Sequence, residues 1–317
     1  MRTRRTFAYI VFASWVLLFV VKNRAADLQG EVRTGDWTLS KSDAPGKVEF
    51  SLIEHHHGGM SSHESDWPGN AFQGVDFSKP GRQDVHFTIT RDAGKLDCEG
   101  FLTDGEGAGL FHFHPDPNYP REMESLGFPV DSDKQFGMAI QDVSLDFARQ
   151  MKAEHLSELN TDKLISFRIF HLDSAFIESL RAEGLKATDS DKLVAFRIHG
   201  VTPQMVRTLH QAGYSPDEDK LIAMRIHGAS PEWIEQLKQR GYDHVDLQKL
   251  IAFRIHGVSP EFIQKLQGLG YSHPEPDELI AMRIHNVTPE YIADMRSRGI
   301  KDLSIDKLVS MKIHGID

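Results

Sequence analysis

The chain has 317 residues, a formal net charge of −10, 40% hydrophobic and 26% charged residues, and one cysteine, Cys98. The length suits two domains or one domain plus an array, and a single cysteine excludes an intramolecular disulfide and a cysteine-rich zinc site. Beyond residue 26 the charge is −15, which argues against nucleic acid or an anionic membrane surface as partner, since both select a basic patch.

Residues 1–26 hold five basic and no acidic residues. Arg2, Arg4 and Arg5 precede an apolar run from Phe7 to Val21, and Lys22 and Arg24 close it. A helix over that run spans about 22 Å, short of a ~30 Å hydrocarbon core. The length fits a signal peptide or a short N-terminal membrane anchor. Neither Ala25 nor Ala26 has a small residue two positions earlier, so a cleavage site is missing and the uncleaved anchor is favoured, with a cytoplasmic N-terminus. The rest of the chain is then expected outside the cytoplasmic membrane, in the cell envelope.

Residues 31–116 read as a small antiparallel β domain. Lys47–Glu54 and Val85–Thr90 alternate apolar and polar residues, the period of a half-buried strand. Leu96–Leu102 and Gly109–His114 flank the glycine-rich turn 103–107. The pattern predicts a meander of four to six strands, with one face packed on the start of a helical array because so small a sheet buries little alone. His55, His56, His57 and His63 cluster after the first of these strands, and His112 and His114 share one face of another. Imidazoles at such spacing can chelate zinc or copper. The competing reading is a polar loop opening an irregular stretch from Met60 to Arg82. No His-Glu-x-x-His motif occurs, so zinc catalysis is not expected, and Gly105, Gly107 and Gly109 lie in a turn between strands rather than at a helix start, so a phosphate loop is not expected either.

Residues 117–317 repeat. LVAFRIHGVTPQMV from Leu193 recurs as LIAMRIHGASPEWI from Leu221, LIAFRIHGVSPEFI from Leu250 and LIAMRIHNVTPEYI from Leu279, with a cut-off copy at Leu308 and degenerate copies at Leu164 and Gln135. Successive starts are 28 or 29 residues apart, the signature of an α-solenoid of stacked two-helix repeats. In the copy around Asp191, that residue is the expected N-cap of a first helix, A, over Lys192–His199, stopped by Gly200. Thr202 caps a second helix, B, with Pro203 at N1 and Gly213 at its end.

A helical wheel puts Arg197 on the apolar side of helix A and His199 beside Lys192 on the opposite side. The arginines Arg168, Arg197, Arg225, Arg254 and Arg283 are expected to form a structural ladder. Their acceptors would be N-cap aspartates (Asp219, Asp277, Asp306), helix-end carbonyls, or Glu232, Glu261 and Glu290. Lys192, His199, Lys220, His227, Lys249, His256, His285, Lys307 and His314 are expected to form a lengthwise polar stripe that docks an extended partner. Layers 8–10 Å apart are too widely spaced for these histidines to share a metal ion. The apolar residues of helix A are assigned to the core.

These LIAxRIHGV-Ser/Thr-Pro-Glu repeats resemble the helical-repeat tails of some bacterial envelope proteins, including tails of BlaR-type membrane metallopeptidases, the class that senses β-lactams. The β segment, with Phe87–Gly94 and Gly105–Gly109, is similar to the segment preceding such tails. The resemblance spans residues 31–317 and implies an envelope location, but no peptidase activity, because the peptidase motif is missing. The sequence therefore points to a non-enzymatic envelope protein without a cofactor, whose solenoid is an interaction scaffold for an envelope protein or peptide. A periplasmic metal-binding or metal-sensing protein using the histidine-rich loop is the alternative.

Overall fold

The computed structural model describes residues 32–56, 59–300 and 303–316. The N-terminal segment 1–26 and His57 lie outside the described residues. Among the described residues, no helix is long and apolar enough to cross a membrane. The fold is α+β: a six-stranded antiparallel sheet is followed by fourteen short helices in a solenoid-like repeat. The chain divides into two compact units. One runs to Thr90 and resumes over Gly94–Asn118; the other holds Arg91–Ala93 and Tyr119–Asp317.

The strands are β1 (Arg33–Lys41), β2 (Lys47–His56), β3 (Gly59–Pro68), β4 (Arg82–Arg91), β5 (Gly94–Thr103) and β6 (Glu106–Pro115), in the order β3-β2-β1-β6-β5-β4. Two three-stranded meanders are thus joined through β1 and β6, rather than one continuous meander. In a flat sheet, β2 and β4 would lie about 19 Å apart. Instead the Phe50 and Phe87 ring centroids are 6.2 Å apart, and Phe72 touches them at 5.1 and 5.4 Å. The sheet therefore rolls on itself. The interior of the roll is filled by the sheet's own aromatics.

Trp37 is the centre of that roll. It is fully buried and donates its indole N–H to the Glu99 carbonyl at 3.1 Å. It lies over two glycines. A Cβ at Gly100 would stand 2.7 Å from Trp37 Cζ2, and one at Gly109 would stand 2.7 Å from Trp37 Nε1. The β5–β6 hairpin turns through Asp104 and Gly105 at φ 53° and 87°, the left-handed pair of a two-residue hairpin loop. Two strands lie outside the sequence expectation. β1 carries only Trp37 and Leu39 as apolar inward residues, because Gly35 occupies a position where a Cβ would be 2.7 Å from the Phe111 ring. β3 ends the strand order and buries only Trp67, so it is polar on both faces and reads as loop. Cys98 is fully buried in the roll, and burial pushes its thiol pKa up, which leaves it unreactive.

The helices alternate. The B type comprises α1 (Tyr119–Ser125), α3 (Leu145–Ala153), α5 (Ser174–Ala182), α7 (Pro203–Gln211), α9 (Pro231–Lys238), α11 (Pro260–Gly268) and α13 (Pro289–Ser297). The A type comprises α2 (Ser132–Ile140), α4 (Thr161–Ile169), α6 (Ser190–His199), α8 (Glu218–His227), α10 (Leu247–His256), α12 (Pro276–Ile284) and α14 (Ile305–Ile313). Thr202, Ser230, Ser259 and Thr288 cap their B helices, each followed by proline at N1. The A and B helices of a layer end in the same way. Val201 N–H reaches Phe196 O at 2.8 Å and Tyr214 N–H reaches Leu209 O at 2.9 Å, across glycines in the left-handed region. Leu193, Phe196, Val206 and Leu209 then close one layer's core with at most 1% of their surface exposed.

Gly109→Ala is expected to abolish the near-ultraviolet circular dichroism of the aromatic cluster, because the new methyl meets the Trp37 indole and the Glu99 carbonyl together. A spectrum equal to wild type would remove the glycine seat from the account of the roll.

Candidate docking face on the A helices

Helix A begins earlier than its sequence suggests. In α6 the N-cap is Asp189, whose carboxylate accepts from Asp191 N–H at 2.9 Å and Lys192 N–H at 3.1 Å. Asp217 and Asp246 cap α8 and α10 in the same way. The second acidic residue, two positions on, is thereby free for another task. It pairs with the lysine of the preceding layer. Lys134 meets Asp162 at 3.1 Å, Lys163 meets Asp191, Lys192 meets Asp219 at 2.9 Å, and Lys249 meets Asp277. Lys220 breaks the series. Its slot in the next layer holds Gln248, and it turns back to its own cap, Asp217, at 2.9 Å. Lys192 and Lys249 of the expected polar stripe are therefore occupied in pairs between layers, and Asp219, Asp277 and Asp306 are first-turn residues rather than N-caps.

The arginines point the other way along the array. Arg168 Nε donates to Gln141 O at 3.0 Å, Arg197 Nε to Phe170 O at 2.8 Å, and Arg225 Nε to His199 O at 2.8 Å. Arg254 Nε donates to His227 O at 3.1 Å and Arg283 Nε to His256 O at 3.3 Å. Each acceptor is a carbonyl at the C-terminal end of the preceding A helix, where intrahelical donors have run out and the helix dipole is negative. Arg168 meets a carboxylate as well, Asp142 at 3.1 Å, which was not among the acceptors expected from the sequence. The guanidinium also lies over a ring of the preceding B helix: Arg197 on Phe176 at 4.6 Å, Arg254 on Trp233 at 5.2 Å, Arg283 on Phe262 at 5.1 Å. This explains the aromatic residue two places after the repeat's proline. It also gives the glycines after His199, His227 and His256 a second role. A Cβ on Gly200, Gly228 or Gly257 would stand 2.8, 2.7 or 2.9 Å from Nη2 of the next layer's arginine.

With arginine reaching one neighbour and lysine the other, a third side of helix A is left to solvent. Isoleucine occupies it. Ile169, Ile198, Ile226, Ile255, Ile284 and Ile313 are each between 40 and 57% exposed. These residues were expected in the core, and the structure places them outside. The histidines stand next to them. His227, His256 and His314 are exposed, while His199 and His285 are half-buried. Their main-chain carbonyls, rather than their imidazoles, make the contacts between layers for His199, His227 and His256. The outward face is thus an apolar row flanked by arginine and histidine, not a lysine–histidine stripe. Lys307 is exposed in the last helix.

A signal for the row exists in the sequence. Exposed positions of the B helices have drifted between copies: Arg207, Glu235, Gln264 and Ala293 occupy one column, and Gln236, Lys265 and Asp294 part of the next. The exposed isoleucine is the same in all six copies from Ile169 onward.

His55 and His56 end β2, His63 lies on β3, and His112 and His114 lie on β6. His55 and His56 pair in register with Met60 and Gly59, and His63 pairs with Leu52 on β2. Burial lowers the pKa of His63, and the nearby Arg33 guanidinium lowers it further. A positive group beside an imidazole opposes a second cation. His114 Nε2 faces Asp97 at 3.4 Å, and Asp97 accepts from the Thr88 hydroxyl at 2.6 Å. Among the described residues, no group of three or more histidine, cysteine, aspartate or glutamate side chains could hold a metal ion. No family model, no curated protein and no solved structure matches this chain.

Two consequences are measurable. Gly213 has φ 88° with nothing near its Cβ position, whereas Gly228 has φ 73° with Arg254 against it. Gly213→Ala should cost about 1–2 kcal/mol from backbone strain alone. Gly228→Ala should cost about 1 kcal/mol more, from displacing the Arg254 hydrogen bond. Equal urea midpoints for the two variants would remove the guanidinium seat. For His63, the folded pKa lies below the ordinary value of 6.5. Above that pH both states are neutral, and below it the unfolded state takes up the proton first, so stability falls as pH falls. His63→Gln should flatten this part of the stability–pH profile. A profile unchanged by the substitution would assign the acid sensitivity elsewhere.

Proposed function

We propose that this chain is a non-enzymatic cell-envelope protein whose solenoid docks an elongated protein partner along the exposed isoleucine row of its A helices. One observation carries the reading: six isoleucines at one position per layer, each about half exposed, held outward while neighbouring side chains are fixed. Scattered exposed apolar residues need no explanation, but an aligned set is a typical interaction surface. Folding does not require isoleucine there, because the adjacent arginine and lysine already fasten the layers. The contrast with the drifted B-helix columns supports a constraint from outside the chain. The envelope assignment rests on the sequence of residues 1–26, with its basic start and apolar run, and on the resemblance of the repeats to envelope-protein tails. Stacked helical repeats commonly present extended binding surfaces, which is a fold-level analogy.

A photo-crosslinking side chain placed at position 226 or 255 of the full-length protein, in its own host cell, should give a discrete crosslinked product. The same probe at position 235, on an exposed B-helix column, should not. Ile226→Asp with Ile255→Asp should remove the product while changing stability by at most about 0.5 kcal/mol per site. A product of equal strength from position 235, or none from the row, would refute the docking face.

A further inference from the structure

The β unit carries an open trough on the outer face of its rolled sheet, with a volume of about 860 Å³. Trp37 points inward, so its neighbours Asp36 and Thr38 point out. The backbone at Gly100 and Gly109 forms part of the floor, with the Trp37 indole packed against its inner side. Two apolar side chains stand open in the trough: Leu110 is 50% exposed and Phe101 36%. The strand register orders the rest into rows. One row runs from Ile53 on β2 to Asp36 on β1, Leu110 on β6 and Glu99 on β5. Apolar and acidic side chains alternate along it. Strands about 4.8 Å apart put the two carboxylate positions about 10 Å from each other, with the leucine between them. The next row, Thr38, Ala108 and Phe101, is uncharged.

The charge around this floor has one sign. Asp84 adds a third carboxylate, and among the described residues no lysine or arginine lines the trough. At the margin, Arg82 lies over the Phe101 ring at 4.1 Å and stands 3.9 Å from Asp84. On β2 and β3 the acidic field continues. A hydrogen bond with Glu49, then burial, then the Glu49 charge, hold the Glu64 carboxyl above its usual range. Such a field repels acidic proteins and anionic lipid, and favours a cation. A second copy of this chain is acidic overall and is repelled likewise. The basic residues of segment 1–26 flank an apolar run that the envelope reading assigns to a membrane. A small-molecule site encloses most of its ligand's surface, whereas this trough is open, so its occupant is a segment of a larger partner. We infer that the outer face of the sheet binds a basic segment of a partner protein. Lysine or arginine side chains meet Asp36, Glu99 and Asp84, and apolar side chains between them rest on Leu110 and Phe101. This surface is separate from the isoleucine row and does not depend on it.

The probes are three fluorescent peptides of equal length, titrated into the full chain in an uncharged detergent at about 0.15 M salt. One repeats Lys-Leu, the second Lys-Ser and the third Glu-Leu. The Lys-Leu peptide should bind, with the other two at least about tenfold weaker. Asp36→Asn combined with Glu99→Gln should weaken it about tenfold, the loss of two exposed ion pairs. Leu110→Ser should weaken it to a similar extent and leave the near-ultraviolet circular dichroism unchanged, since that side chain is half exposed. Asp66→Asn combined with Glu106→Gln makes the same change in charge outside the trough, and should leave the affinity within about twofold. Equal weakening by this distant pair, or equal binding of the Lys-Ser peptide, would reduce the effect to diffuse charge and overturn the inference. Binding indifferent to Leu110→Ser, or no binding of the Lys-Leu peptide, would overturn it as well. The crosslinks from positions 226 and 255 test the isoleucine row whichever of these results is found.

Discussion

The helical unit depends on one bond: an arginine Nε–H given to the last carbonyls of the preceding A helix. A helix leaves its final carbonyls without donors, and a stack of short helices multiplies that deficit at every layer. Arg197, Arg225, Arg254 and Arg283 meet it with a charged donor at the negative end of the helix dipole. The rings of Phe176, Trp233 and Phe262 support three of these guanidiniums from below. The glycines after His199, His227 and His256 turn the chain left-handed and leave room for the guanidinium. A repeat of so few residues thus carries its own fastener, its seat and its stop within one short motif.

That bond also decides what helix A shows to solvent. Arginine is drawn to the earlier layer and lysine to the later one, so the helix cannot rotate to bury its isoleucine. The outward position follows from fastening both flanks, and isoleucine fills it in the six copies from Ile169 onward. Structure and candidate function therefore share a cause: the contacts that align the layers also align the isoleucines.

The β unit solves a different problem. A six-stranded sheet of this size has one apolar face and little to cover it. Here the sheet rolls until Phe50 and Phe87, four strand positions apart, touch around Trp37. Glycines at 100 and 109 make that possible by letting the indole lie against the backbone. Its histidines end in unlike surroundings, His63 near a guanidinium and His114 near a carboxylate.

By itself the sequence determined the solenoid, its period, its prolines and terminal glycines, and the four most regular strands, because these are set by local chemistry: caps, left-handed turns and alternation. The hairpin at Asp104–Gly105 was legible for the same reason. Strands β1 and β3 were not, since one replaces an inward side chain with glycine and the other lies at the end of the sheet order with a polar face on both sides. The roles of Asp191 and Asp219 were hidden as well, because the residues they pair with lie a whole repeat away. Most of all, only the tertiary structure placed Ile198 and its counterparts outside. A helical wheel averages apolar character over a full turn and assumes one buried face. In a stacked array each A helix is covered on its core side and on both flanks, and which residues are left outward depends on the direction taken by the arginine and the lysine, which no single repeat specifies.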